Sequence, residues 1–232
     1  MGEEMVFHFY SALAVATLGF LLFYFFTFTS FVTGKLQWQL GEPGHVVYQR
    51  LTGLLIFGVL PVILILFSNS LFQEFGLKTP TLSTGLWALL LMTLIILINY
   101  FNASSPQNLA MYPQIRRNEW SYSLLATSAL SWLSYILAYE FLFRGYLLFS
   151  SIQVIGLWPA IILNTIIYSL VHFHKGIKEM VGSLPFGIIL CYLCYLTGSI
   201  WIAVIAHSTM VLSNEWFSIQ KNPAIVIKTT RK

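Results

Sequence analysis

The sequence predicts an all-α fold, a polytopic bundle of about seven transmembrane helices. Three observations predict it. The 232 residues are 57% hydrophobic and only 9% charged. The mean hydropathy is +0.77, and apolar stretches longer than the roughly 18 residues needed to cross a bilayer recur along the whole length. A soluble domain carries about a quarter charged residues, so a water-soluble fold is set aside. The spans fall at about 7–32, 50–68, 84–102, 122–150, 157–173, 180–196 and 199–217. The fourth is long enough to tilt or protrude. Breaks are expected where turn chemistry sits: Gly41-Glu42-Pro43-Gly44, Thr79-Pro80, Asn102 to Pro106, Trp158-Pro159 and Thr197-Gly198-Ser199. With no internal repeat and no low-complexity stretch, residues 1–232 are expected to form a single membrane domain ending in a short tail, 218–232. Glu3 and Glu4 precede the first apolar run where a signal peptide would carry basic residues, so this run is expected to stay as an anchor.

Topology follows from Lys and Arg on alternate sides. Lys35, Arg50, Arg116, Arg117, Lys175, Lys178, Lys221, Lys228, Arg231 and Lys232 fall on one side and only Lys78 on the other, while Arg144 lies inside a span. The bias puts the C-terminus in the cytoplasm of a multi-pass protein, and it suits a bacterial cytoplasmic membrane. The net charge of +4 is spread over short loops and the tail, so membrane lipid rather than nucleic acid is the expected partner. Cys191 and Cys194, one turn apart in an apolar helix, read as small apolar residues rather than a disulfide.

The residue inventory excludes several chemistries. There is no Asp among the eight acids, which removes aspartyl proteolysis. H-E-x-x-H, G-x-S-x-G and G-x-x-x-x-G-K-[ST] are all absent, arguing against a zincin, a serine elbow and an ATP-driven pump. Glu, His and Arg within the membrane are what is left.

The fourth span carries Tyr139-Glu140-x-x-x-Arg144-Gly145, in which Glu140 and Arg144 share one helix face and can pair. The fifth ends in Tyr168-x-x-x-His172, with Asn164 and Thr165 on the same face, and His174 beyond it is expected at the interface. The seventh puts His207 near mid-membrane, where a histidine faces the bundle interior. A Glu with two His from different helices activates a water in either of two ways. It does so by general-base catalysis with an oxyanion donor, or by holding Zn²⁺ through Glu140, His172 and His207. A structural ion pair and a proton or solute relay are the other readings of the same residues.

In this order and on successive spans, the three segments resemble E-E-x-x-x-R, F-x-x-x-H and H-x-x-x-N of the CPBP/Abi family, the CAAX prenyl endopeptidase and bacteriocin-immunity family of intramembrane proteases. The resemblance covers about Leu124 to Asn214, within a family-like core of about 121–217, and includes the Thr197-Gly-Ser-Ile-Trp201 lead-in. It implies an intramembrane endopeptidase acting on a membrane protein or lipidated peptide. Glu140 and His172 would activate water, Arg144 would orient Glu140, and His207 would sit at the oxyanion. The sequence departs from the pattern at the first Glu, where it has Tyr139, and at the final Asn, where it has Val211, with Asn214 two turns from His207 as a substitute donor. Tyr168 replaces the Phe. The loss of the first Glu leaves an inactive binding or regulatory relative of the same fold as the alternative.

Overall fold

The computed structural model describes residues 2–68, 70–173 and 176–228; the side chains of 30–41 and of Lys178 also lie outside that description. His174 and the topological charges Lys35, Lys175, Lys178, Arg231 and Lys232 therefore fall outside the described residues. The elements are α1 (Gly2–Phe28), α2 (30–68), α3 (Leu82–Asn102), a short α4 (Pro106–Met111), α5 (Tyr122–Ile155), α6 (Leu157–Leu170), α7 (Ile177–Thr197) and α8 (Trp201–Lys221). Two three-residue strands, β1 (Glu119–Ser121) and β2 (Val226–Lys228), pair in parallel.

The fold is an all-α membrane bundle, but the expected seven spans divide unequally. Among the described residues, five helices are long and apolar enough to cross a membrane: Gly2–Phe28, Glu42–Ser68, Leu82–Asn102, Tyr122–Ile155 and Glu179–Thr197. The 14 residues of α6 rise only about 21 Å at 1.5 Å per residue. Helix α8 is long but rich in Ser, Thr, Asn and Glu, because its inner face carries polar side chains.

Two expected breaks moved. Gly41-Glu42-Pro43-Gly44 lies within a helix that runs unbroken from Ser30, and the chain turns instead at extended Thr29. Proline's fixed φ is compatible with a helix, so Pro43 costs one backbone hydrogen bond without forcing a turn. Near Trp158-Pro159 the break falls at Gly156, whose φ of 81° only glycine adopts freely, and Pro159 sits in the first turn of α6. The breaks at Pro80, at Asn102 to Pro106 and at Gly198 stand where turn chemistry put them.

Outward faces are apolar, as with Leu21, Leu55, Leu89, Ile98, Leu130 and Ile162, and polar groups point inward. Small residues let backbones approach: a Cβ on Gly53 would stand 2.3 Å from the Tyr135 ring, and one on Gly58 2.9 Å from Ala138 Cβ. Helix α2 thus seats directly against α5, one turn before Glu140. Arg50, placed by charge counting among the loop residues, is instead buried. It donates to Ser131 Oγ at 2.8 Å, to the Ser128 carbonyl at 3.0 Å and to Gln114 at 3.1 Å, with Glu215 Oε2 at 3.6 Å. Three hydrogen-bonding residues and the Glu215 carboxylate offset the cost of burying the guanidinium.

Contacts between loops fix which ends lie together. Ser70 donates to Glu4 at 2.5 Å, and the Ile200 amide donates to the Gly76 carbonyl at 3.0 Å. On the other side, the Arg116 amide meets Glu42, and β1 pairs with β2. Residues in contact across loops must be separated by an even number of crossings. Four helices, α5 to α8, separate β1 from β2, and two separate Glu4 from Ser70. Only two of these contacts bracket α6 or α8: between Gly76 and Ile200 the count is even if α6 crosses, and between β1 and β2 it is then even if α8 crosses too. Single cysteines replacing Lys78 and Lys228, in a variant without Cys191 and Cys194, should be labelled by a membrane-impermeant maleimide from opposite sides of a sealed vesicle. Labelling of both from one side would break this topology.

Candidate functional site

Helix α5 widens to a π-helical turn over Phe141–Leu147, immediately after Glu140 and around Arg144. Such turns free a backbone carbonyl from its usual partner and often mark functional positions. Here Asn164 of α6 donates its side-chain amide to the Phe143 carbonyl at 2.6 Å, and Cys191 of α7 donates its thiol to Asn164 Oδ1 at 3.2 Å. Three helices are stitched together beneath Arg144.

Arg144, Glu140 and His207 form a buried chain. Arg144 Nε lies 3.3 Å from Glu140 Oε2, and Glu140 Oε1 lies 2.5 Å from His207 Nδ1. Glu140 and Arg144 are both completely enclosed. The fully enclosed Arg144 guanidinium stacks 4.0 Å from the centre of the Tyr168 ring, adding a cation–π contact. With a carboxylate as acceptor, His207 Nδ1 is the N–H, which leaves Nε2 as the ring's other polar atom.

A cavity of about 400 Å³ lies on the far side of His207. Its walls include Phe20 and Phe23 of α1, Ile95 and Ile98 of α3, Tyr135 and Tyr139 of α5, Tyr168 of α6 and His172 in the turn just beyond it, Phe186 of α7, and His207 and Val211 of α8. Ile98, one of the lining residues, is 65% exposed on the outer face of α3. Arg50, Tyr112, Gln114 and Glu179 line its polar end.

The structure therefore divides the sequence-selected residues into two groups. His172, His207, Tyr139 and Tyr168 line one cavity. Glu140 and Arg144 stand behind that wall, with both Glu140 oxygens committed, so Glu140 is not placed to touch a water in the cavity. The reason is the 100° step between neighbouring helix positions: Tyr139 takes the cavity face, and Glu140 turns to the core. Tyr139 packs at ring-centre distances of 4.7 Å from Phe143, 5.8 Å from Tyr135 and 5.9 Å from Tyr168, with its edge to His207 at 5.8 Å. Its hydroxyl is buried and has no hydrogen-bond partner among the described residues. His172 Nδ1 lies 2.8 Å from the Tyr168 carbonyl, which makes Nδ1 the donor and Nε2 the basic nitrogen of the neutral ring. Val211 lines the cavity, whereas Asn214 does not.

A zinc site does not fit this arrangement. Glu140 spends its oxygens on Arg144 and His207, and no three His, Cys, Asp or Glu side chains among the described residues are grouped to hold an ion. Sequence reasoning missed the pairing of Asn164 with the π-helical turn and the carboxylate of Glu179 at the cavity. The periodicity of α7 did carry a signal for the latter, since Glu179, Gly182, Ser183 and Phe186 fall at i, i+3, i+4 and i+7 on one face.

Residues 120–213 match a family described as type II CAAX prenyl endopeptidase Rce1-like. The match begins in β1 and runs through α5, α6 and α7 into α8, the helices that carry the three motifs. Neither the curated proteins nor the solved structures gave a match.

Replacing Glu140 with Ala would leave Arg144 as an unbalanced buried charge, at an expected cost of about 3–5 kcal/mol. Glu140→Gln, which keeps an acceptor for His207, should cost less. Thermal unfolding in detergent would rank the two, and equal midpoints for both variants and wild type would show that the pairing contributes nothing.

Proposed function

We propose, from the premise that residues 120–213 are of the CAAX protease-like family of membrane proteins, that this chain is an intramembrane endopeptidase hydrolysing peptide bonds of membrane-associated substrates. The observation that carries the reading is that His172, just past the end of α6, and His207 on α8, from separate motifs, line one cavity.

The two rings are held differently, and the difference matches two roles. His172 has a neutral carbonyl behind it and lines the cavity, where it helps to activate the attacking water. His207 has a carboxylate behind it, itself held by Arg144. When protonated, it donates from Nε2 to the oxyanion that forms on the scissile carbonyl, with Glu140 balancing its charge. Glu140 and Arg144 are on this reading positioning residues. Tyr139 and Tyr168 shape the pocket, and Asn214 plays no part in it. The aromatic and aliphatic walls suit a transmembrane segment or a lipidated peptide entering past Ile98, and lipid is the partner on the outward faces. The polar end opens on the side that carries Arg116, Arg117 and Lys228, which the charge bias assigns to the cytoplasm of a bacterial membrane.

A second reading has its own observation. A phenol, not a carboxylate, occupies the cavity wall where the family pattern has its first Glu, and its hydroxyl is buried. A relative that binds membrane segments without cleaving them would need no more than this.

The test is cleavage of a fluorogenic membrane-peptide library by the purified protein in nanodiscs, with wild type, His172→Ala, His207→Ala and Tyr139→Glu, with and without chelator. Turnover by wild type that falls at least about 100-fold in each histidine variant is expected, in line with the loss of a general base or an oxyanion donor. A silent wild type with an active Tyr139→Glu would instead establish the binding relative. Abolition by chelator would overturn the metal-free assignment.

A further inference from the structure

We infer that Glu179 is the catalytic carboxylate of this cavity, taking over from α7 the role that Tyr139 on α5 cannot perform. The inference rests on the hydrolase reading above and adds to it a residue outside all three motifs.

Glu179 stands apart from the carboxylates that have partners. Among the described residues Glu4 accepts from Ser70, Glu42 from the Arg116 amide, and Glu119 pairs with Lys228. Glu215 pairs with Arg50, Ser128 and Trp132, and Glu140 with Arg144 and His207. Glu179 is the one carboxylate that lines the cavity holding His172 and His207, and among the described residues it makes no ion pair or hydrogen bond. Water reaches it, since it is exposed at the polar end.

Its placement follows from the helix that bears it. Glu179, Gly182, Ser183 and Phe186 all line the cavity and occupy one face of α7 at i, i+3, i+4 and i+7. Phe186, two turns along that face, reaches within 6.1 Å of the His207 ring centre. At the other end the face is held against α6, because Ser169 donates to the Met180 carbonyl at 2.5 Å, three residues before His172. The face thus runs from the neighbourhood of His172 to that of His207, with its carboxylate in the first helical turn, where negative charge is favoured. Gly182 leaves open the wall that a larger side chain would fill: a Cβ there meets nothing within 4 Å.

In the reaction, a water held between Glu179 and His172 Nε2 attacks the scissile carbonyl carbon. The C–O bond forms as Glu179 takes one water proton, and the carbonyl electron pair becomes the oxyanion at His207. When the tetrahedral intermediate collapses, the C–N bond breaks and the amide nitrogen receives that proton from Glu179. The products are a carboxylic acid and an amine, one water is consumed, and Glu179 is again ionised.

The experiment compares wild type, Glu179→Gln, Glu179→Asp and the double variant Glu179→Gln/Tyr139→Glu, full length in nanodiscs, on the same peptide library over a range of pH. Glu179→Gln should lower kcat about 100-fold or more with KM and the unfolding midpoint unchanged. Glu179→Asp should recover part of the rate. Recovery in the double variant would show that a carboxylate on either wall serves the same water. Wild-type rates in Glu179→Gln would overturn the assignment of Glu179 while leaving the hydrolase reading in place. A wild type silent on every substrate, with only Tyr139→Glu active, would overturn both.

Discussion

The bundle is organised around a charge that cannot reach water. Glu140 is completely enclosed in the middle of α5, where an isolated carboxylate would cost several kcal/mol. Arg144 on one side and His207 on the other satisfy it, and the two come from different helices. The Arg144 side chain can turn back to Glu140 because α5 widens there, and the wide turn persists because Asn164 takes up the Phe143 carbonyl. Asn164 is in turn fixed by Cys191. One buried carboxylate therefore constrains the relative placement of α5, α6, α7 and α8. Removing it would disturb four helices rather than one contact.

A second polar layer, nearer the basic side of the bundle, repeats the principle. Arg50, Glu215, Ser128, Ser131 and Trp132 tie α2, α5 and α8 at the polar end of the cavity. At the opposite side His8 accepts or donates to Tyr146, Ser68 and Ser70 at 2.9–3.0 Å, anchoring α1 to α5 and to the end of α2. Between lipid-facing apolar surfaces, helix association gains little from hydrophobic burial, so close backbone contact and internal hydrogen bonds must supply specificity. The close approaches at Gly53 and Gly58 and the three polar layers are those two devices.

Much of this was legible in the sequence. Hydropathy placed most of the helices within a few residues because the bilayer sets their length, but α2 begins at 30 rather than near 50. Helical spacing paired Glu140 with Arg144, and motif order brought His172 and His207 to one interior. Other features depend on tertiary context that periodicity does not encode. Pro43 between two glycines has the composition of a turn, yet the helix passes through it. Arg50 reads as a loop charge, and only the hydroxyls of α5 and the carboxylate of α8 reveal that it is buried. Which side of α5 faces the cavity is likewise undecidable from Tyr139-Glu140 alone, since either residue could face inward until α6 and α8 are in place. The π-helical turn leaves no mark in composition at all.

The separation of Glu140 from the cavity bears on what the charged chain is for. An apolar triplet of similar volume would pack the same space at no desolvation cost, and buried ion pairs seldom exceed such a core in stability. Packing alone therefore does not account for Arg144, Glu140 and His207. What the chain provides is a fixed orientation for one imidazole, with its Nδ1 committed and its Nε2 directed away from the carboxylate. His172 is fixed by a carbonyl instead, so two chemically identical side chains meet the same cavity with different partners behind them. A site that must both withdraw a proton and stabilise a negative charge needs that inequality. Backing one ring with a charge and the other with a dipole produces it.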